Sequence, residues 1–190
     1  RERCTPHEEE WEERLRFENL YYDLEFRDDV NQGQHLPKDE MIQARIDELK
    51  FFRKMGVYRK VPKAWAAGKT IISTRWVDTN KGTVGNPNYR SRLVGREIKR
   101  DNRADLFFAT PPLEAMKTLI SLCSNDYKKK RLAVVDVKRA YFYAPARREI
   151  YIQIPAEDRE PGDEDKLGLL DFSLYGTRDA AMNWQEEVAR

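Results

Sequence analysis

The 190-residue chain has two cysteines and two histidines. Cys4 and Cys123 lie far apart without CxxC spacing, and His7 and His35 sit in no ligand pattern, which argues against a disulfide framework and a zinc site. Cys123 is expected as a small core residue. No apolar run approaches the roughly 20 residues that cross a bilayer. The first ten residues, RERCTPHEEE, lack the apolar stretch of a secretory leader. An intracellular setting without membrane contact is therefore expected. Internal repeats and low-complexity tracts are also absent.

What is there is 40% hydrophobic and 36% charged residues, the balance of a globular chain with a large solvated surface, forming one domain or one and part of another. The net charge of +2 conceals an asymmetry. Residues 1–50 carry 8 basic against 15 acidic side chains, residues 51–150 carry 23 against 8, and residues 151–190 carry 4 against 10. A basic centre between acidic ends suits a binder of phosphate backbones, because each lysine or arginine at a phosphate releases counterions. A solvated basic face is the plainer reading.

Thr5-Pro6-His7-Glu8 has the residues of a helix start, and Phe17, Leu20, Tyr21 and Leu24 follow as one apolar stripe. A second helix is predicted from Ile42, Ile46, Leu49 and Phe52, ending at Gly56. From Val57 the period becomes that of strands. KTIISTRWVD and YRSRLVGRE, separated by NKGTVGNPN, predict a β-hairpin carrying Arg75 on one strand and Arg90 and Arg92 on one face of the other. Such a trio of guanidiniums repels itself unless an anion or acidic neighbours lie among them, or unless all three point to solvent. TPPLEAMKTLISLC predicts a helix with Thr110 as cap, Pro111 at its first position and a stripe of Leu113, Met116, Ile120 and Cys123. The basic turn KKKR follows. REIYIQIP predicts a strand with one covered face, AEDREPGDED an acidic surface loop, KLGLLDF a strand, and TRDAAMNWQEEVAR a helix.

LAVVDV, residues 132–137, is apolar on both faces, as a central strand would be, except for Asp136. An ionised carboxylate there is costly unless it is paired, hydrogen-bonded or bound to a metal. Lys138 and Arg139 follow at once, so an ion pair at a strand end and a functional carboxylate both remain open.

The order of motifs resembles the reverse transcriptase region of Ty1/copia-type retrotransposon Pol polyproteins, from about Asp28 onward. ISTRWVDTNKG and YRSRLVGRE are similar to that family's fingers hairpin, and FFATPPLEAMKTLISL to the helix that follows it. VVDVKRAYFYA resembles its aspartate motif, EIYIQIP its next strand, and SLYGTRDAAMNW its Ser-Leu-Tyr-Gly segment. The resemblance implies an α+β fold, the fingers and partial palm of a right-hand polymerase, truncated before the Asp-Asp hairpin. Residues 1–36 would be an acidic helical extension and residues 37–190 the fingers and palm.

The intact protein would perform RNA-directed DNA synthesis on an RNA or DNA template with primer. Its substrates would be deoxynucleoside triphosphates, and integrase and RNase H regions would lie in the same polyprotein. Asp136 matches a ligand of two Mg2+ ions. Arg75 and Arg92 match residues expected to grip the triphosphate, Arg90 would share that task or touch template, and Tyr141 matches the residue that screens against a 2′-hydroxyl. Tyr175 and Gly176 match the segment against the nascent base pair. Departures occur at Ala144-Pro145-Ala146-Arg147-Arg148, where small and acidic residues are usual, and at Asp179 and Ala181, where glutamine and proline are frequent. Two rivals remain: a catalytically dead nucleic-acid-binding remnant of such an element, and an unrelated α+β domain in which Arg75, Arg92 and Asp136 do not converge. Polymerisation by the 190-residue chain alone is not expected.

Overall fold

The computed structural model describes residues 6–31, 33–83, 85–98, 112–125 and 131–190. In chain order the elements are α1 (Pro6–Leu20), β1 (Phe26–Arg27), β2 (His35–Leu36), α2 (Lys38–Met55), β3 (Tyr58–Pro62), β4 (Ile71–Ile72), β5 (Thr74–Asn80), β6 (Tyr89–Gly95), α3 (Leu113–Asn125), β7 (Tyr151–Ile152), β8 (Lys166–Leu170) and α4 (Ala180–Val188). The class is α+β. The expected features at Thr5, at Thr110 and Pro111, and at residues 128–130 lie outside the described residues. Among the described residues no helix is long and apolar enough to cross a membrane.

α2 forms as its sequence dictates. Ile42, Ile46, Leu49 and Phe52 fall on one face and are buried. Asp39 and Glu40 in the first turn and Arg53 and Lys54 in the last suit the helix dipole. The helix stops where Gly56 takes φ 62°, and the Val57 N–H donates to the Phe52 carbonyl at 3.2 Å. On one side α2 shares a core with Phe17 of α1, Tyr21 just after it, Phe26 and Leu36. Residues 1–36, expected as an extension, thus supply part of the packing around α2. Leu20 and Leu24 of the expected α1 stripe are exposed instead, since the helix ends at Leu20 and only Phe17 and Tyr21 reach α2.

The hairpin β5–β6 has the anticipated form, with Trp76 opposite Leu93, Val77 opposite Arg92 and Thr79 opposite Arg90. A second sheet runs in the order β3-β8-β7-β4, antiparallel except for the β4–β7 pair. Phe52, Val57, Ile72, Leu93, Phe142, Ile152 and Leu174 form the core between hairpin, sheet and α2. Tyr151 is buried as well as Ile150, Ile152 and Ile154, so the predicted one-sided strand is covered on both faces: Tyr151 packs into a third cluster with Val61, Leu167 and Leu169.

Arg45 fastens these layers. Its guanidinium lies 2.5 Å from Asp78 on β5 and 3.7 Å from Glu157, with the rings of Tyr21, Phe26 and Trp76 about it at 4.7 to 5.1 Å. Trp76 Nε1 also donates to Glu157, and Ser91 Oγ donates to Asp78.

Glu157 belongs to the segment expected as an acidic surface loop. That expectation fails at three of its carboxylates. Glu157, Asp158 and Asp163 are buried because cations and donors await them: Arg53 and Tyr58 for Asp158, Lys60 and Lys166 for Asp163. Lys60, the Glu160 backbone N–H and Lys166 hold the Asp163 carboxyl far below the usual carboxylate range.

Two further expectations are corrected. α3 forms, but none of its residues is buried; Leu113, Met116 and Ile120 are exposed and Cys123 is only half-buried. Residues 131–137 are not a central strand. They carry no ladder pairing, and Val134 and Val135 are 90% and 80% exposed. An apolar segment becomes a central strand only with a strand on either side. Here the edges of the larger sheet are β3 and β4, and neither pairs with it.

Two outcomes test this packing. Arg45→Met should lower unfolding free energy by about 3–5 kcal/mol in urea titrations, because Asp78 and Glu157 would stay buried without their counter-charge. Asp28 accepts N–H donors from Val30, Asn31 and Asn80 at 2.7 to 2.8 Å. Although burial pushes its carboxyl up, these donors hold it at about 2. A depressed carboxyl stabilises above its unfolded-state value and loses that contribution as pH falls through the folded one. Asp28→Ala should therefore cost about 2 kcal/mol at pH 7. The gap from wild type should narrow between pH 4 and pH 2 in the same titrations.

Candidate functional site

A cavity of about 660 Å³ opens where α2, β6, residues 136–141 and the turn at Tyr175 meet. Arg90 and Arg92 line it from β6, Asp136, Lys138, Arg139 and Tyr141 from the segment leading into the 3-10 turn Ala140–Tyr143, Glu48 from α2, and Tyr175 and Trp184 from the last part of the chain. Arg90, Arg92, Asp136, Tyr141 and Tyr175, which the sequence singled out, are thus brought to one place. A cavity of about 720 Å³ lies elsewhere, between α1 and α2, but its walls are cations and carboxylates that neutralise one another, Lys50 with Glu10 and Arg53 with Glu13.

Arg75 and Gly176 are not among the lining residues. The hairpin register does put Arg75 on the face of Arg90 and Arg92. Its guanidinium, however, lies 3.3 Å from Asp29 beside the outer edge of β5. Asp29 is fixed there by accepting the Asp78 N–H at 2.9 Å, so Arg75 is drawn away from the cavity.

Inside, aromatic faces carry the cations. Arg92 lies 5.1 Å from the Tyr175 ring centre, and the rings of Tyr141 and Tyr175 are 4.7 Å apart. Phe142 closes the stack from the core side, 5.4 Å from Tyr175 and 4.6 Å from Phe52. Burial raises the Tyr175 hydroxyl above its ordinary range, so the ring stays neutral at physiological pH. A cationic arginine over stacked rings, open to solvent on one side, is a surface for a planar or anionic ligand.

The turn carrying Tyr175 is tied to β6 through its backbone. The Gly95 N–H donates to the Tyr175 carbonyl at 2.7 Å and the Glu97 N–H to the Gly176 carbonyl at 3.4 Å. Gly176 has φ 81°, and a Cβ there would overlap the Gly95 carbonyl oxygen. Glycine is needed for this close approach to the hairpin's own backbone. Arg148 clamps the same corner, bridging Glu97 at 2.6 Å and Asp179 at 3.0 Å.

Asp136 is exposed at the cavity mouth and makes no ion pair among the described residues; Arg139 goes instead to Glu48, at 2.7 Å. The strand-end ion pair is therefore not formed. Among the described residues no three His, Cys, Asp or Glu side chains are grouped to hold an ion, so Asp136 would be one ligand of an incomplete set. The buried Glu48 escaped the sequence reading. Its signal was a carboxylate at helical spacing within α2's apolar stripe, one turn from Arg45 and one from Phe52.

Comparison with known proteins adds the following. The family described as Reverse transcriptase (RNA-dependent DNA polymerase) matches residues 57–190. The chain is 27% identical over 158 residues to the retrovirus-related Pol polyprotein from transposon TNT 1-94 of Nicotiana tabacum, covering 79% of this chain and 11% of that protein. It is 29% identical over 160 residues to the transposon Ty1-ER2 Gag-Pol polyprotein of Saccharomyces cerevisiae, covering 80% of this chain and 8% of that protein. The chain thus spans about a tenth of the length of these relatives. No solved structure matches it significantly. The family match and the two transposon polyproteins bear out the resemblance read from the motifs.

Gly176→Ala should separate the turn from β6, since both the positive φ and the overlap with Gly95 oppose it. A loss of about 2 kcal/mol or more in urea titration, with a change in tyrosine near-ultraviolet dichroism, is the expected outcome.

Proposed function

The chain belongs to the reverse transcriptase (RNA-dependent DNA polymerase) family, and from that premise we propose that it forms the fingers and adjoining palm of a copia-type retrotransposon polymerase. In this reading the intact polyprotein copies element RNA into DNA on a template with primer, consumes deoxynucleoside triphosphates, and carries integrase and RNase H regions elsewhere. It would act in a cytoplasmic particle or the nucleus.

The observation that carries the proposal is the meeting of Arg92, Tyr141, Tyr175 and Asp136 around one cavity from positions far apart in sequence. Arg92 would take the triphosphate by charge-assisted hydrogen bonds, with Arg90 and Lys138 adding positive potential at the rim. Tyr141, braced against Tyr175, would stand under the sugar, where a ring leaves no room for a 2′-hydroxyl. Tyr175 would face the nascent base pair, and Gly176 would keep that turn pressed onto β6. Arg75, committed to Asp29, is assigned no contact with the triphosphate.

The family generally uses divalent metal ions, and Mg2+ is the ion proposed here, with Asp136 as a ligand. Held by Asp136 together with further carboxylates, such ions would supply Lewis-acid activation of the primer hydroxyl and charge stabilisation of the departing pyrophosphate. A pair of dications needs several carboxylates, and among the described residues Asp136 belongs to no group of three such side chains. This chain's own part is therefore to bind and orient the nucleotide rather than to complete the chemistry.

Two measurements test the proposal. Equilibrium binding of dATP should weaken about tenfold or more in Arg92→Ala, the equivalent of roughly 1.4 kcal/mol, and should be unchanged in Arg75→Ala; equal binding by wild type and Arg92→Ala would refute the assignment. Primer extension by the 190-residue chain with Mg2+ should give no incorporation. RNA binding without any nucleotide affinity would favour the remnant reading.

A further inference from the structure

We propose that Glu48 of α2 is a positioning residue that acts through Arg139 to set where Tyr141 stands in the cavity. The last consequence, for ligand choice, rests on the nucleotide reading given above; the positioning itself does not.

Glu48 is 2% exposed, on the face of α2 that otherwise buries Ile42, Ile46, Leu49 and Phe52. Oε2 accepts from Arg139 Nε at 2.7 Å, while Oε1 has no hydrogen-bond partner among the described residues. A buried carboxylate with an unused oxygen is a poor device for stability, since a well-packed apolar side chain usually serves a helix face as well or better. What the carboxylate provides is a fixed point for a guanidinium.

That guanidinium belongs to an unusual residue. Arg139 has φ 54° and ψ 40°, the left-handed region, and among the described residues it is the non-glycine residue with positive φ. A long L side chain avoids this conformation unless its surroundings impose it. Arg139 is held twice by the same helix: its Nε by Glu48, and its plane by the Phe51 ring, 4.3 Å from Cζ. It stands where the exposed stretch 131–137 gives way to the 3-10 turn, and its carbonyl accepts the Phe142 N–H at 3.0 Å. Two residues on, the Tyr141 ring meets Tyr175. The side-chain latch on α2 thereby selects the backbone conformation that aims Tyr141, with Glu48, almost wholly buried, acting through Arg139.

The full 190-residue chain serves for the test. In wild type, nuclear Overhauser contacts should join the Tyr141 and Tyr175 rings. They should be lost in Glu48→Ala and in Arg139→Ala, and kept in Glu48→Gln, whose amide oxygen can still accept from Arg139. The double variant should be no worse than either single one. Amide shifts of the β3-β8-β7-β4 sheet should match wild type throughout. If Glu48→Ala alone proves unfolded, Arg139→Ala carries the same reading. The affinity ratio of dATP over ATP should fall about fivefold or more in Glu48→Ala and hold in Glu48→Gln. Ring contacts that persist in both alanine variants would overturn the positioning role. Wild-type chain that keeps the ring contacts but binds neither nucleotide would overturn the nucleotide reading and leave the positioning role standing.

Discussion

A guanidinium sealed among three aromatic rings, Arg45 among Tyr21, Phe26 and Trp76, can stay charged only while its carboxylates remain beside it. Burial pulls the Arg45 proton affinity down and Asp78 offsets part of that loss. The demand is mutual, because Asp78 and Glu157 are equally enclosed. α2, β5 and the segment at Glu157 are therefore fixed against one another by one interaction. The functional side chains inherit that fixity. Ser91 turns inward to Asp78, and its neighbours Arg90 and Arg92 are thereby turned to the opposite face of β6, toward the cavity.

Much of the architecture was legible because it is written locally. The period of α2, its ending at Gly56 and the β5–β6 hairpin all depend on residues a few positions apart and formed as read, except that Ile71 and Ile72, read into the hairpin's first strand, pair with β7 instead. Residues 131–137 mark where such reading stops. Their pattern states what the segment could bury, not whether a neighbour is present to bury it against. The acidic segment 156–165 erred in the other direction, since its partners Arg45, Arg53 and Lys60 stand about a hundred residues earlier.

The site divides along the same line. That Arg75 shares a face with Arg90 and Arg92 follows from strand spacing, and the register agrees. That Asp29 draws Arg75 outward depends on a carboxylate 46 positions away, which spacing does not reveal. Asp136 reverses the expectation attached to it: it was a puzzle as a charge inside a strand, and it stands exposed at a cavity mouth, with Arg139 claimed by Glu48. Order of motifs carried the family across the chain, while the contacts that tune the cavity, Glu48 with Arg139 and Gly95 with Gly176, are particular to tertiary packing.

Among the α-helices of the described residues, α3 is the one with no fully buried side chain, Cys123 being only half-buried. Its 13 residues form a length that is marginal for an isolated helix in water, and its side-chain hydrogen bonds among the described residues, Thr118 to the Glu114 carbonyl and Ser124 to the Ile120 carbonyl, stay within the helix. Apolar burial is what couples one element's opening to another's, so a helix without it cannot share in the cooperative melting of the Arg45-centred core. Amide exchange is therefore expected to find α3 opening at its own, lower free energy, while the amides of α2 and β8 follow the unfolding of the core.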